Sequence, residues 1–268
     1  MPTSTIPDRS TGGQYRGPIL DHPAPDPADH EAPSPPEHVR SLRNAALLTA
    51  GVGALHGVLF LLSYWLLSSR PGPTAPIAEI TDFYRSKGQR RVMIVGLYLM
   101  PFAGIAFIWF VVALRMWVAG TALRVNILLS NIQLVAGILY IALLFAGAAS
   151  TSVLAASVEF SKGDIDALAA YQFPQFGSTL ILVFALRMAA MFVITTSTIG
   201  RTSHVLPPWF AWSGYVVGIF LLLSASLQPW LGLVFPIWLI VLSVILLRRA
   251  LRIPTDLTVP ARTAQPSI

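Results

Sequence analysis

Six apolar stretches of near-bilayer length fix what this chain can become: residues 45–67, 92–114, 125–149, 178–200, 209–227 and 230–247. At about 1.5 Å of rise per residue, each can cross, or nearly cross, a hydrocarbon core of about 30 Å as a helix. The stretches are continuous rather than alternating, and each is roughly twice the length of a barrel strand, which excludes a transmembrane β-barrel. Backbone polar groups in lipid must be satisfied within the segment, so the fold class is read as all-α, a polytopic transmembrane helical bundle of about six spans. Only Gln228 and Pro229 separate the last two stretches, which together are too long for one crossing, so a tight reversal is expected there. The balance of 54% hydrophobic against 11% charged residues points away from a soluble globular domain.

Three regions follow: a Pro-rich tail over 1–43, the transmembrane domain over 44–250, and a short cytoplasmic tail over 251–268. The first 43 residues carry nine prolines and almost no apolar run, too little to bury a core, so a disordered cytoplasmic segment is expected. No short apolar core lies near the start, and the first span is expected to act as an uncleaved signal anchor. His22, His30 and His38 sit beside acidic residues at intervals of eight, wider than the three to five of paired zinc ligands, so a solvated tail is the preferred reading. The chain has no cysteine, which removes disulfides and thiolate metal sites. No metal and no cofactor is expected. The net charge of +6 comes from residues flanking spans, without a basic stripe interleaved with aromatics, so the expected partner is the lipid bilayer and not nucleic acid. Protein partners are left open.

Orientation rests on Lys and Arg near the span ends. A cytoplasmic amino terminus collects Arg40, Arg43, Arg115, Arg124, Arg201, Arg248, Arg249, Arg252 and Arg262 on that side, against Arg70, Arg85, Lys87, Arg90, Arg91 and Lys162 opposite. Nine against six favours both termini inside, in a plasma membrane. Tyr64, Trp65, Trp117, Trp209, Trp212 and Trp230 are expected at the interfaces.

That orientation puts a basic loop outside. Residues 77–88 have Ile77, Ile80, Phe83 and Tyr84 at helical spacing, with Thr74 as cap and Gly88 as terminator, which predicts a short amphipathic helix in the headgroup layer. Arg85, Lys87, Arg90 and Arg91 are read as interface anchors to lipid phosphates. The second outer loop, with Glu159, Asp164 and Asp166 against Lys162, carries the opposite charge, so the two loops are expected to dock as a cover over the bundle's outer end.

The segment "EITDFYRSKGQRRVMIVGLYLMPFAGIAFIWFVVALRM", with "LPPWFAWSGYVVGIF" and "LVFPIWLIVLSVILLRR", resembles an uncharacterised family of actinobacterial six-span membrane proteins known only as a domain of unknown function. The resemblance spans roughly residues 45–250. It implies the bundle and the membrane location, and no activity, ligand or catalytic residue.

Ionisable groups inside spans are the functional lead, because they are expensive in hydrocarbon. Arg187 lies ten positions into the fourth span and His56 near the middle of the first, with Tyr140 and Pro101 at similar depth and Asn131 and Gln133 deeper. Pro101 frees the Leu97 carbonyl, an acceptor for a guanidinium. Two readings stand. Arg187, Tyr140 and His56 line a pocket for an anionic solute or lipid headgroup, or Arg187 snorkels or bonds Leu97 and Tyr140 and locks the bundle. His56, the lone histidine in the spans, is read as an interhelical hydrogen bond rather than a haem or metal ligand.

Gly53 with Gly57, and Gly214 with Gly218, are helix-packing faces. Thr195, Thr196, Ser197 and Thr198 either line a path or bond carbonyls one turn back. Ser203 and His204 are adjacent, but no hydrolase, zincin or phosphate-loop motif accompanies them. The expectation is a non-enzymatic structural or accessory bundle, with no catalytic residue; the alternative is a transporter or binding protein for a small anionic or lipidic molecule at Arg187.

Overall fold

The computed structural model describes residues 35–71, 75–121, 126–161 and 167–252. The expected disorder of residues 1–34, the carboxy-terminal tail, the cap at Thr74, and Asp164 with its loop lie outside the described residues. Among the described residues all regular structure is helical: α1 (Pro35–Leu67), α2 (Ile77–Arg85), α3 (Lys87–Ile94), α4 (Met100–Thr121), α5 (Ile127–Ser161), α6 (Ala167–Thr179), α7 (Leu186–Thr202), α8 (Pro208–Leu223) and α9 (Leu231–Leu251). Wider π turns join α3 to α4 at Val95–Leu99 and α6 to α7 at Leu180–Ala185.

Among the described residues, five helical stretches are long and apolar enough to cross a membrane: Arg43–Leu67, Gly88–Gly120, Ile127–Phe160, Leu168–Thr202 and Leu231–Leu251. Three are 33 to 35 residues long, about 50 Å at helical rise, so they overrun the hydrocarbon core and build a further layer at the end carrying α2. The expected spans 92–114, 125–149 and 178–200 overlap these helices, which run on toward the α2 end as far as Gly88, Phe160 and Leu168. Helix α1 begins at Pro35, taking in residues assigned from sequence to the tail.

Helix α8 is apolar but has 16 residues, about 24 Å. The reversal expected at Gln228 and Pro229 is instead a longer link: the backbone turns extended at Ser224 and is non-helical through Gln228. The Ser224 hydroxyl donates to the Phe220 carbonyl (2.7 Å), competing locally with further helix. Apolarity alone carried the sequence reading past that stop.

Large apolar side chains are distributed on both sides of each helix. Val58, Phe102, Trp109, Ile138 and Val216 are exposed around the outside, while Phe107, Phe110, Phe192, Phe235 and Leu239 are fully enclosed. So wide an exposed apolar surface is the mark of a lipid-facing belt. Trp65, Trp209, Trp212 and Trp230 are exposed, but Trp117 is buried at 3% and is a packing residue rather than an interface one.

Without a hydrophobic drive between helices in lipid, close approach decides which helices touch. On α1, a Cβ at Gly53 would stand 2.7 Å from the Phe110 ring of α4, and one at Gly57 would meet Ile240 of α9. On α8, Gly214 faces Ser197 and Gly218 faces Ile194, both on α7. Helix α5 receives the same treatment on two sides. Gly96 of the first π turn lies against Ser152, and a Cβ at Gly177 of α6 would come within 2.6 Å of the Gly147 carbonyl oxygen.

The π turns have local causes. Pro101 has no N–H and its ring crowds the carbonyl four residues back, which the turn immediately before it accommodates. Before the second, Ser178 and Thr179 donate back to the Pro174 (2.8 Å) and Gln175 (2.9 Å) carbonyls, a pattern that bends helices.

The amphipathic helix expected before Gly88 forms as α2, but its stop is Ser86. That residue is extended, and its hydroxyl accepts from the Gly88 N–H (3.4 Å), starting α3 at once. Gly88 is buried against Phe83, which needs a residue without a side chain. The two loop regions do meet, through an apolar cluster of Ile80, Tyr84, Val92, Leu154, Ala155 and Ala170. Among the described residues a polar contact between them is Gln89 Nε2 donating to Glu159 (3.1 Å) and to the Ala155 carbonyl (3.3 Å); the expected charge pairing involves Lys87, Lys162, Asp164 and Asp166, whose side chains lie outside the described residues.

A Gly57→Ala substitution should lower thermal stability in detergent by about 1–3 kcal/mol through overpacking. Gly51→Ala, with nothing within 4 Å of its Cβ, should be neutral or slightly stabilising, and paired melting curves check the contrast.

Candidate functional site

The three residues singled out from the sequence do not form one group. His56 is fully buried, its Nδ1 at 2.8 Å from the Ala103 carbonyl and its Nε2 at 3.3 Å from the Tyr140 hydroxyl. A carbonyl can only accept, so Nδ1 carries the proton, and the bare Nε2 accepts from Tyr140. Phe60, Phe107 and Phe235 surround the ring with centroids 5.0 to 6.2 Å away. Both imidazole nitrogens are therefore engaged by protein, joining α1, α4 and α5 across the centre of the bundle.

Arg187 is half-buried, and its Nη1 donates to the Val183 carbonyl (2.6 Å) of its own helix. The acceptor lies in the second π turn. Neither Leu97 nor Tyr140 is its partner, since Tyr140 is directed at His56. Gln133 donates to Thr196 (2.7 Å), Thr195 and Thr198 bond carbonyls four residues back, and Ser203 donates to Ile199 (2.6 Å). His204, with φ of 54°, closes α7 in a left-handed conformation, and its carbonyl accepts from Arg249 (3.1 Å). The adjacent serine and histidine thus form a helix end.

Of the anchors, Arg85, Arg90 and Arg91 are exposed, with Arg91 donating to Ser69 (2.7 Å); the Lys87 side chain lies outside the described residues.

A cavity of about 350 Å³ opens at the α2 end, within the range of roughly 300–1,000 Å³ of small-molecule sites. Phe60, Met100, Leu182 and Gly232 line its apolar part; Tyr64, Tyr171 and Gln175 stand around it with Arg70 and Tyr84. The nearby serine and threonine hydroxyls are spent on their own helices: Ser63 on Leu59 (2.7 Å), Thr151 on Ala148 (2.9 Å) and Ser178 on Pro174 (2.8 Å).

Arg70 and Tyr84 differ from these. Tyr84 is 1% exposed and its hydroxyl has no hydrogen-bond partner among the described residues; the Arg70 guanidinium likewise makes no hydrogen bond among them. Burial pulls the arginine below its ordinary range, offset by its electrostatic interaction with Tyr84. Burial pushes the tyrosine up, offset by Arg70. Arg70 follows directly on the end of α1, where its backbone N–H bonds Leu67 (3.0 Å), and the negative end of the helix dipole helps it stay charged.

Sequence reasoning counted Arg70 as one of several loop charges, because distance from the spans said nothing of its burial. Its signal was the position itself, three residues past an apolar span and beside Pro71, where the chain must turn back over the bundle.

The fold and its lipid-facing belt define a membrane-embedded helical bundle protein. No family model, curated protein or solved structure matches the chain.

A double-mutant cycle between His56→Ala and Tyr140→Phe should give a coupling of about 0.5–1.5 kcal/mol in thermal or denaturant unfolding. Arg187→Met, losing one bond within its own helix, should shift stability by less than about 1 kcal/mol, with the oligomeric state unchanged on size exclusion.

Proposed function

We propose that this is a non-enzymatic, membrane-embedded binding protein whose pocket at the α2 end takes a small molecule bearing an anionic group, with Arg70 as the fixed cation. The observation that carries the reading is the Arg70 guanidinium and the Tyr84 hydroxyl, neither with a hydrogen-bond partner among the described residues, on a cavity whose serine and threonine hydroxyls are already engaged. A half-buried cation without a hydrogen-bonded countercharge is costly, and a bound anion supplies the charge-assisted bonds it lacks among the described residues. The described lining offers a guanidinium, phenols and an amide, a donor set suited to holding an anion rather than to acid–base chemistry.

The excess of basic residues beside the amino terminus supports a plasma-membrane orientation with both termini cytoplasmic and the pocket outside. Kinship with the six-span actinobacterial family belongs to the same proposal and carries no ligand with it.

A purely structural bundle is the competing reading. The internal pairing of His56 and Arg187 favours it for the centre of the molecule, where sequence had placed the ligand.

Native mass spectrometry of the detergent-purified protein tests the choice. The wild type should carry an anionic small molecule or lipid, Arg70→Gln should lose it by about ten- to a hundred-fold in occupancy-derived affinity, and Arg187→Gln should keep it. A bare wild type that gains nothing on incubation with anionic lipid extract, or equal retention by Arg70→Gln, sinks the assignment in favour of the structural bundle.

A further inference from the structure

The pocket has two chemically different ends, and the second describes the ligand beyond its charge. Arg70 and Tyr84 present donors at the mouth. Phe60, Met100 and Leu182 form an apolar floor; Phe60 lies seven residues, roughly 10 Å of helical rise, below the end of α1 at Leu67, just beyond which Arg70 follows. The floor continues over Gly232, where a Cβ would make only ordinary contacts, 3.4 Å to Leu182 and 3.7 Å to Phe60.

The cavity lies on the seam between α1 and α6. Helix α1 packs on α4 and α9, while α6 packs on α5 and α2, so the two seam helices are held by others. Leu227 and Pro229, from the extended link after α8, border the same space. That link leads from α8 into the membrane-crossing α9 and brings Leu227 and Pro229 to the α2 end of the bundle.

On the reading of Arg70 given above, we infer that the occupant is a single-chain amphiphile with an acidic head, a long-chain carboxylate or monoacyl phosphate, whose head meets Arg70 and Tyr84 and whose chain lies between α1 and α6. A free inorganic anion would satisfy the donors and leave the floor empty. A neutral alcohol would fill the floor and leave the cation unpaired. A volume of about 350 Å³ holds roughly a dozen groups the size of a water or a methylene, enough for one chain and too little for two.

Calorimetric titration of the full chain in amphipol, with butanoate, octanoate, decanoate, octanol and inorganic phosphate as probes, reads both halves of the inference. Affinity for the acids should climb about four-fold per added methylene until the floor is reached. Octanol should bind at least ten-fold more weakly than octanoate, and that gap should close in Arg70→Gln. Gly232→Leu should weaken decanoate at least ten-fold while leaving butanoate within two-fold of wild type. Gly232→Ala, which fits the observed spacing, should give a smaller shift of the same kind and serves if the leucine variant fails to fold.

Phosphate or butanoate binding as tightly as decanoate, with loss in Arg70→Gln, overturns the chain and leaves the anion pocket standing. Octanol equal to octanoate, or no probe bound by the wild type, overturns the pocket as well.

Discussion

Gly57 packs so closely on α9 that a Cβ would overlap Ile240, and Gly177 sits so near α5 that a Cβ would stand 2.6 Å from the Gly147 carbonyl oxygen. These contacts fasten α1 to one side of the bundle and α6 to the other. In lipid, apolar side chains gain little by leaving acyl chains for each other, so packing at small residues is what discriminates among arrangements. Two helices each committed elsewhere leave a gap where they run beside one another, and the cavity occupies that gap. The same glycines that tighten the bundle thus determine where it is hollow.

Several polar groups in the interior take a partner of complementary type as close as the backbone allows. His56 serves a carbonyl and a phenol at once and therefore ties three helices with one ring. Arg187 takes the Val183 carbonyl one turn back, in the π turn where the regular ladder widens. Gln133 reaches Thr196 across the α5–α7 contact. These pairings account for His56, Arg187 and Gln133 without a ligand. The Ser197 and Ser243 hydroxyls and the Trp238 indole N–H are buried with no hydrogen-bond partner among the described residues, and what sets Arg70 and Tyr84 apart is that they stand on the cavity.

The loop regions at the α2 end show what apolar contact contributes beside charge. Among the described residues the two regions meet through Ile80, Tyr84 and Ala170 and a glutamine-to-glutamate bond, while the Lys162, Asp164 and Asp166 charges behind the expected docking lie outside them. Exposed arginines such as Arg85 and Arg90 lose too much hydration to be drawn into such a contact, whereas Ile80 and Ala170 lose none. Ser86 has a comparable lesson. A glycine reads as a helix stop, but here Gly88 is used for its lack of bulk against Phe83, and the neighbouring serine makes the break because its side chain can cap the next helix.

The membrane class and the all-helical build were legible from the sequence, since transfer of an apolar run into hydrocarbon is a local property that needs no knowledge of neighbours. So were the close-packing glycines, whose four-residue spacing places them on one helix face. The overrun of three helices beyond the bilayer was not legible, because polar and apolar residues alike continue a helix once it has begun. Nor was the site. Whether a polar side chain is satisfied depends on how far each helix is rotated about its axis and which partner that rotation brings within about 3 Å. The sequence by itself determined that this chain crosses a membrane as helices and that its interior holds a few polar groups. Only the tertiary structure decided that His56 and Arg187 are answered by protein while Arg70 finds no hydrogen-bond partner among the described residues, because pairing is a property of two elements and depth along a span describes only one.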